Sequence, residues 1–234
     1  MGKTVVITGA GRGLGRALAE KFIAHGDRVV PVVRNDSSVE DLDVDTTIVA
    51  DLSDATTIAG AVQQADVDEV DILIHNAGVA HIGSLAEQGL EQWRQSLDVN
   101  VLAPVELTRV LLPRLRESKG HILFVNSGAG LSAGPVWASY AASKHALKAV
   151  ADSLRAEERP HGVRVSSLYP SHFDTDMQRQ VRDDLGAKYD PARATSVDSI
   201  ADSIIALVDS PADLVFEDVR VAPPNPLSMS TPKK

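Results

Sequence analysis

An eight-residue glycine-rich stretch, Thr8–Gly15 (TGAGRGLG), limits the possible folds of this chain more than any other feature. The β-branched run Thr4–Thr8 leads into it and predicts a strand buried on both faces. Apolar residues with helical spacing follow it, at Leu14, Leu18, Phe22 and Ile23. A strand, a glycine turn and a helix N-terminus in that order direct backbone amides and the helix dipole toward an anion. We expect this turn to bind a pyrophosphate, although the same glycines also fit a simple tight turn.

The length and composition indicate one domain. A chain of 234 residues fits one large α/β domain or two small ones, and no Pro/Gly/Ser-rich or charge-dense linker divides this one. Because 44% of the residues are hydrophobic, the chain can bury a sizeable core. We expect a single domain over residues 1–222, followed by a flexible C-terminal tail over Pro223–Lys234.

Charge and cysteine content exclude several classes of protein. A net charge of −9 does not give the basic surface of a nucleic-acid binder. No apolar stretch approaches the roughly 20 residues that cross a bilayer, so we expect no membrane association. With no cysteine, the chain forms no disulfide and no thiolate metal site. A cytoplasmic location is the default expectation.

Strand and helix patterns alternate along the chain. Apolar runs predict strands at Thr4–Thr8, Arg28–Arg34, Thr47–Ala50, Val70–Ile74, His121–Val125, Val163–Leu168 and Leu214–Val221. Helices are predicted from the glycine turn to about Gly26, after an N-cap at Ser53 or Asp54, and over Glu91–Arg116, Ala138–Arg159 and Val197–Val208. This alternation predicts right-handed βαβ crossovers and an α/β fold with a doubly wound parallel sheet.

Two of these elements carry more detailed expectations. Pro31 lacks an N–H inside the second strand, which predicts a bulge or a locally unpaired position. In the long helix over Glu91–Arg116, the residues expected along one inward face are Leu97, Val101, Val105, Thr108 and Leu112.

Polar residues follow most of the predicted strands. Ligands of doubly wound sheets bind beyond the carboxyl ends of the strands, so these residues are the first candidates for a site. They are Gly9–Gly15, Arg34, Asp51, Asn76, Ser127 and Pro170–Thr175.

Tyr140 and Lys144 lie one helical turn apart and leave the same face of one helix. A free phenol has a pKa of about 10, and a neighbouring ammonium lowers that pKa by stabilising the phenolate. The pair can therefore exchange a proton with an alcohol oxygen, and Ser127 at a strand end can donate to the same oxygen. Such a pair also occurs simply as amphipathic side chains packed by their aliphatic parts.

The glycine spacing and these polar residues together resemble one family. The turn reads Thr-Gly-x-x-x-Gly-x-Gly, because Gly-x-Gly-x-x-Gly fits no register here. With Asn100, Ser127, Tyr140 and Lys144 in order, the chain resembles the short-chain dehydrogenases/reductases through its last strand. The resemblance implies a Rossmann-like fold and hydride transfer between a nicotinamide cofactor and a carbonyl or alcohol.

The resemblance also implies roles for the tetrad. Tyr140 would be the acid/base, Ser127 would polarise the carbonyl, and Lys144 would bind the nicotinamide ribose and lower the pKa of Tyr140. Asn100 would hold a water in a proton relay. Pro104 agrees with that role, because without an N–H it cannot bond the carbonyl of Asn100. The same proline equally predicts a packing kink in a long helix.

Two further family motifs match only in part. The Asn-Asn-Ala-Gly motif appears as His75–Gly78, and Pro-Gly-x-x-x-Thr appears as Pro170–Thr175 with Ser171 in the glycine position. These departures lie beside the expected cofactor. The residues expected to contact it are Gly9, Gly11, Arg12, Gly13, Leu14, Gly15, Arg34, Asp51, Leu52, Asn76, Ala77, Gly78, Tyr140, Lys144, Pro170 and Thr175. We expect no metal, because His75, His81 and His172 have no second ligand at suitable spacing and are interpreted as surface or outer-layer residues.

The end of the second strand indicates which dinucleotide is used. Enzymes that select NAD place a carboxylate there, whereas here Val33 is followed by Arg34, whose guanidinium suits a 2′-phosphate. Arg12 could reach the same phosphate. We therefore expect NADP(H), with NAD(H) as the alternative if Asp36 folds back to accept ribose hydroxyls.

The function predicted from these features is that of an NADP(H)-dependent ketone or aldehyde reductase. A dinucleotide-sensing protein that catalyses no reaction, and a family member that catalyses epimerisation or dehydration, are the competing hypotheses.

The substrate is a small carbonyl or alcohol compound that the sequence does not identify. We expect Gly128–Trp137 and Asp174–Arg193 to select it, with Trp137 and Met177 as apolar walls. By resemblance, the protein forms a homodimer or homotetramer.

Overall fold

The computed structural model describes residues 2–186 and 189–225. The strands in this part of the chain are β1 (Thr4–Thr8), β2 (Arg28–Val33), β3 (Ile48–Val49), β4 (Ile72–His75), β5 (His121–Val125), β6 (Arg164–Pro170) and β7 (Asp218–Val221). The α-helices are α1 (Gly13–His25), α2 (Ile58–Ala65), α3 (Leu90–Leu97), α4 (Ala103–Ser118), α5 (Ala138–Glu158), α6 (Asp176–Asp184) and α7 (Val197–Val208).

The strands within the described residues form one seven-stranded sheet in the order β3-β2-β1-β4-β5-β6-β7. All of the pairings are parallel, so the predicted Rossmann-like, doubly wound sheet is confirmed. The connections run outward in one direction from β1 and in the other from β4. Ligands bind at such a reversal of strand order, which puts the glycine turn after β1 at the centre of the expected site.

Helices cover both faces of the sheet because alternate strand residues point to opposite sides. Val5 and Ile7 of β1 share one apolar cluster with α1 and α7. Val6, between them, belongs to a second cluster with α2, α4 and α5. The central strands are therefore apolar at nearly every position and read as continuous runs rather than alternating ones.

Pro31 lies in β2 without a bulge. It pairs with Ile7 in an unbroken register along β1. On the other side, β3 pairs only with Val32 and Val33. Of the two predicted alternatives, the locally unpaired position is the one that occurs, because the short β3 does not extend as far as Pro31.

The helix predicted over Glu91–Arg116 is present but not uniform. Between α3 and α4, Asp98–Leu102 form a π-helical turn in which the N–H of Ala103 donates to the carbonyl of Asp98. This turn takes up one extra residue and rotates the following residues about the helix axis by about 100°. The predicted inward face is wrong in part, since Leu97 and Val105 are 38% and 39% exposed. The buried positions of α4 are Ala103, Pro104, Leu107, Thr108, Leu111 and Leu115.

Several predicted boundaries shift in the structure. Asp54, one of the two predicted caps, accepts from the N–H of Thr56 and starts a 3₁₀ turn before α2. Only the last four residues of the predicted strand Leu214–Val221 pair with β6. The charged segment Asp174–Arg193 contains α6, whose polar composition gave no apolar periodicity to predict it. Of the predicted tail, residues 226–234 lie outside the described part of the chain.

Candidate active site

The turn after β1 needs glycine for two different reasons. Gly9 and Gly13 have φ values of +70° and +56°, in the region that disfavours side chains. At Gly15, an added Cβ would lie 2.2 Å from the carbonyl oxygen of Gly9, so close backbone packing excludes any side chain. Leu14 between them is buried in the core, so only its backbone is available to a ligand.

The first turn of α1 is open to an anion. Arg12 occupies the N-cap in an extended conformation and provides no side-chain cap, and no acidic residue lies in the first turn. A Cβ built on Gly13 would meet no heavy atom within 4 Å. The first N–H groups of a helix lack intrahelical partners, and the helix dipole adds partial positive charge there. This arrangement therefore fits a phosphate group.

Thr8 joins this turn to the end of β4. Its hydroxyl accepts hydrogen bonds from the N–H groups of Asn76 and Ala77, each at 2.9 Å. The side-chain amide of Asn76 donates to the carbonyl oxygen of Thr8 at 3.0 Å. The glycine turn and the segment Asn76–Gly78 therefore form one connected wall across the central strands.

Three members of the predicted tetrad meet at the end of β5. Tyr140 and Lys144 project from the first two turns of α5, and the Lys144 Nζ lies 5.9 Å from the centre of the Tyr140 ring. That ammonium donates to the carbonyl oxygen of Val125, the last residue of β5, at 3.1 Å. Ser127 follows two residues later, close enough to Tyr140 for its hydroxyl to lower the pKa of the phenol.

Burial dominates the ionisation of this pair. It raises the pKa of Tyr140 and outweighs the hydrogen bond from Ser127, which acts in the opposite direction. It also lowers the pKa of Lys144 to about 8. The predicted lowering of the Tyr140 pKa is therefore wrong in direction, because desolvation disfavours the phenolate more than its neighbours favour it. A protonated phenol at neutral pH can donate a proton.

Asn100 lies in the π-helical turn and is fully buried. Its Oδ1 accepts from the N–H of Val79, and its Nδ2 donates to the carbonyl oxygen of Val79, both at 2.9 Å. The same Nδ2 donates to the hydroxyl of Ser143 at 2.9 Å, and Ser143 donates to the carbonyl oxygen of Tyr140 at 2.8 Å. The Asn100 side chain thus connects the segment after β4 to the helix that carries Tyr140.

Asn126 is a site residue that sequence analysis missed. Its Nδ2 donates to the carbonyl oxygen of Lys144 at 3.1 Å, and its Oδ1 accepts from the N–H of Ser127 at 2.9 Å. A Cβ on Gly130 would lie 2.5 Å from that Oδ1. Asn126 acts through backbone groups, and Ser143 links the side chain of Asn100 to the backbone of Tyr140. Only their closeness to the tetrad residues in sequence could have indicated them.

Arg34, Asp51 and Leu52 lie at the other end of the site, beyond β2 and β3. Arg34 is exposed, and Arg12 is exposed on the adjoining glycine turn. The two turns touch, since a Cβ on Gly11 would lie 2.8 Å from the hydroxyl oxygen of Ser38. The pKa of Asp51 is lowered, first by hydrogen bonds from the N–H and hydroxyl of Ser53 and then by the charge of Arg34. Leu52 packs against the core.

The last predicted contacts follow β6. Pro170 ends that strand, and its carbonyl oxygen lies 3.9 Å from a Cβ built on Gly128. Thr175 caps α6 by accepting from the N–H of Gln178 at 3.2 Å. The ring of Trp137 lies 5.8 Å from that of Tyr140, measured between ring centres.

The strand order arranges all these groups along one edge of the sheet. Arg34 and Asp51 lie at the β2 and β3 end, the glycine turn lies in the middle, and the tetrad lies at the β4 and β5 end. The structure therefore brings Asn100, Ser127, Tyr140 and Lys144 together. Arg34 lies on the other flank of the glycine turn, after β2, so a ligand that reaches both Arg34 and the tetrad must span the turn.

The surroundings of the histidines differ from the surface positions expected for them. No group of three or more metal-ligating side chains occurs in residues 2–186 and 189–225. His75 is buried rather than on the surface, with its ring stacked 4.8 Å from Phe124 and its Nε2 2.8 Å from the hydroxyl oxygen of Thr108.

In the part of the chain that the structure covers, no helix is long and apolar enough to cross a bilayer.

Comparison with known proteins agrees with this geometry. The bovine protein named dehydrogenase/reductase SDR family member 7B is 33% identical over 237 residues, which cover 92% of this chain and 73% of that protein. A 3-ketoacyl-(acyl-carrier-protein) reductase from Brucella melitensis, complexed with NADH, is 30% identical with a TM-score of 0.81, covering 94% and 96% of the two chains. A short chain dehydrogenase from Burkholderia cenocepacia in complex with NADP is 29% identical with a TM-score of 0.81, covering 94% and 88%.

The family described as short chain dehydrogenase matches residues 3–186, which include the glycine turn, the polar strand ends and the tetrad. Both the sheet order and the relatives agree with that match. This chain belongs to the short-chain dehydrogenase/reductase family of oxidoreductases.

Proposed function

We propose that this protein is an NADP(H)-dependent reductase of ketones or aldehydes, interconverting a carbonyl compound and its alcohol. The observation that carries the proposal is the cluster of Ser127, Tyr140 and Lys144 at the end of β5, with a protonated phenol beside a second hydroxyl. A panel of carbonyl compounds, followed by the absorbance of NADPH, tests it. Oxidation of NADPH by none of them would contradict it.

In this mechanism the tetrad residues carry out the proton transfer to the carbonyl oxygen. The hydroxyl of Tyr140 donates a proton to the carbonyl oxygen, and Ser127 holds that oxygen by a hydrogen bond. Lys144 binds ribose hydroxyls and keeps α5 attached to β5 through Val125. A bound nicotinamide would supply the hydride in reduction and accept it in oxidation.

The remaining contacts hold the dinucleotide. The amides at the start of α1 would bind the pyrophosphate, which can approach the backbone closely at Gly13, where an added Cβ would meet no heavy atom within 4 Å. Gly78 and Asn76 line the middle of the site, and Thr175 with Pro170 borders the nicotinamide end. We also propose that the protein is cytoplasmic and works as a homodimer or homotetramer, as its family commonly does.

We assign the preference for NADP(H) to Arg12 and Arg34. Both guanidiniums are exposed, and their turns adjoin through Gly11 and Ser38. Among the described residues, Arg12 makes no side-chain hydrogen bond and no salt bridge. A pair of guanidiniums provides charge-assisted, bidentate bonds for a 2′-phosphate. Known relatives bind NADP or NADH, so the chain's own residues must decide the preference.

Replacing Arg34 with Asp, or Arg12 with Ala, should raise the KM for NADPH by about 10- to 100-fold, because a charge-assisted bond to the phosphate is lost. The KM for NADH should change far less. Arg16→Ala is the matched control, since Arg16 already binds Asp41 through two hydrogen bonds of 2.7 and 2.6 Å. A wild-type kcat/KM that is higher with NADH would refute the assignment and make Asp36 the residue to test.

The water relay through Asn100 has a separate test at Pro104. Pro104→Ala restores an N–H in the first turn of α4, four residues after Asn100, whose carbonyl is the regular partner of that N–H in an α-helix. If that carbonyl holds a catalytic water, kcat should fall while the melting temperature stays the same or rises. Unchanged kinetics in a stably folded variant would assign Pro104 to helix packing alone.

A further inference from the structure

Arg182 in α6 is a buried charge that the proposed chemistry does not use. The residue is 4% exposed, and within residues 2–186 and 189–225 its Nε and Nη2 have no hydrogen-bond partner. The other buried charges do have partners. Lys144 donates to Val125, and Glu158 accepts two hydrogen bonds from Arg116 at 2.7 and 2.8 Å. A buried ion without a partner is costly, so a guanidinium in this state is suited to an anion.

The acidic groups around α6 do not supply that anion. Asp174 accepts hydrogen bonds from Arg179 at 2.8 Å and from the Tyr189 hydroxyl at 2.5 Å. Asp184 is exposed and accepts from Gln180 at 2.7 Å. Burial raises the pKa of Tyr189 to about 12, so this phenol is neutral at physiological pH. The described part of the chain therefore leaves the charge of Arg182 uncompensated.

Arg182 lies beside the segment that leaves the active-site edge of the sheet. That edge is marked by Pro170, whose carbonyl oxygen faces Gly128 next to Ser127. Two residues later, the carbonyl oxygen of His172 accepts from the N–H of Thr195 at 2.9 Å, which fixes the segment. The guanidinium of Arg182 is close enough to His172 to lower its pKa, after the larger effect of burial.

We propose that Arg182 binds an anionic group of a ligand, namely the carboxylate of a carbonyl substrate. The inference rests on the proposed reductase activity and narrows its substrates to oxo acids. A cofactor phosphate is also an anion that a guanidinium can bind. The glycine turn, Arg12 and Arg34 are, however, the groups proposed to bind the phosphates of the cofactor. Arg182 lies on the opposite flank, after β6. The residue it influences, His172, follows two residues after Pro170, whose carbonyl oxygen lies beside Gly128 next to Ser127.

The variant Arg182→Met separates this role from a structural one. Removing a buried charge without a partner should leave the melting temperature of the ligand-free protein unchanged or higher. Arg179→Met, on the same helix but paired at the surface with Asp174 and Asp176, is the matched control. A large fall in the melting temperature of Arg182→Met alone would show a structural partner and overturn the inference.

Binding is measured without turnover, using succinate as the probe. Succinate should raise the melting temperature of the wild-type NADP⁺ complex and of Arg179→Met, but not that of Arg182→Met. Dimethyl succinate, which lacks the charges, should stabilise none of them. No shift in the wild type, or an equal shift in Arg182→Met, would overturn the inference. A selective shift together with no turnover of any carbonyl would leave it standing while the proposed activity fails.

Kinetics distinguish the two sources of the anion. For an oxo acid, kcat/KM should fall about 10- to 100-fold in Arg182→Met, whereas the methyl ester of the same acid should be reduced at the wild-type rate. The dissociation constant of NADPH should stay unchanged. A weakened NADPH affinity with the acid preference intact would assign Arg182 to a cofactor phosphate and overturn the substrate assignment. Equal losses for acid and ester would overturn both.

Discussion

Tyr140→Phe should lower kcat for carbonyl reduction by about 10²- to 10⁴-fold, because the variant has no proton to give to the carbonyl oxygen. Its affinity for NADPH should stay close to the wild-type value, since the ring and its contact with Trp137 remain. Steady-state kinetics and NADPH fluorescence titration measure the two effects. Reduction at nearly the wild-type rate would refute the assignment of Tyr140 as the acid.

The pH dependence of the reverse reaction gives an independent check. Because burial raises the pKa of Tyr140, the phenolate that accepts a proton in alcohol oxidation is scarce at neutral pH. The oxidation rate of the wild type should therefore increase with pH from 7 to 10, and this increase should disappear in Tyr140→Phe. Tyr169→Phe is the matched control, as it removes another buried phenol, one that donates to Asp218 at 3.1 Å.

The fold should lose stability steeply in mild acid. Burial lowers the pKa of both His75 and His121 to about 3. Between pH 6.5 and 3 the unfolded chain binds a proton at each of these rings and the folded protein does not, so the free energy of unfolding falls as the pH falls. Each histidine contributes about 1.4 kcal/mol per pH unit, so two contribute about 3 kcal/mol per unit. Urea unfolding at pH 7, 6 and 5 measures this slope.

The variant His75→Asn should lose about half of that acid slope, whatever it does to stability at pH 7. Loss of the contact with Thr108 will lower stability at every pH, and that uniform loss does not change the slope. His25→Gln is the control, because His25 is exposed and its pKa is raised by a hydrogen bond to Asp27. A free energy of unfolding that is constant from pH 7 to 5 would contradict the neutral, buried state of these rings.

Much of the sheet could be predicted because its central strands are apolar throughout. β1 and β5 have the predicted bounds, as does α7, whose apolar spacing is clear. The edge strands were predicted less well. β3 and β7 are short, and β7 alternates between exposed and partly buried positions, so the apolar signal extended beyond the residues that actually pair.

The elements that were not predicted depend on contacts between distant parts of the chain. α6 is polar, yet it buries Val181 and Arg182. The π-helical turn contains Asn100, whose side chain bonds the backbone of Val79. Neither fact has a periodic signature, because each is decided by a partner elsewhere in the sequence.

Ser127 could be placed at the site from the sequence because parallel strands end at one edge, whereas the grouping of all four tetrad residues came from the resemblance to the family. The residues that hold the tetrad in position through hydrogen bonds could not be derived from the sequence. Asn126 and Ser143 bind backbone groups whose positions exist only in the folded chain. For the same reason, the direction of the Tyr140 pKa shift required knowledge of how deeply the ring is buried.

The π-helical turn at Asp98–Leu102 also limits how the length of this chain can change. The turn holds one residue more than an α-helical turn, so deleting any one of its residues would restore regular helix geometry. Everything on one side of the deletion would then rotate by about 100°, and either Asn100 would lose Val79 or Leu107 would leave the core. Exposed loops usually tolerate gains and losses of residues, but here the number of residues matters more than most of their identities.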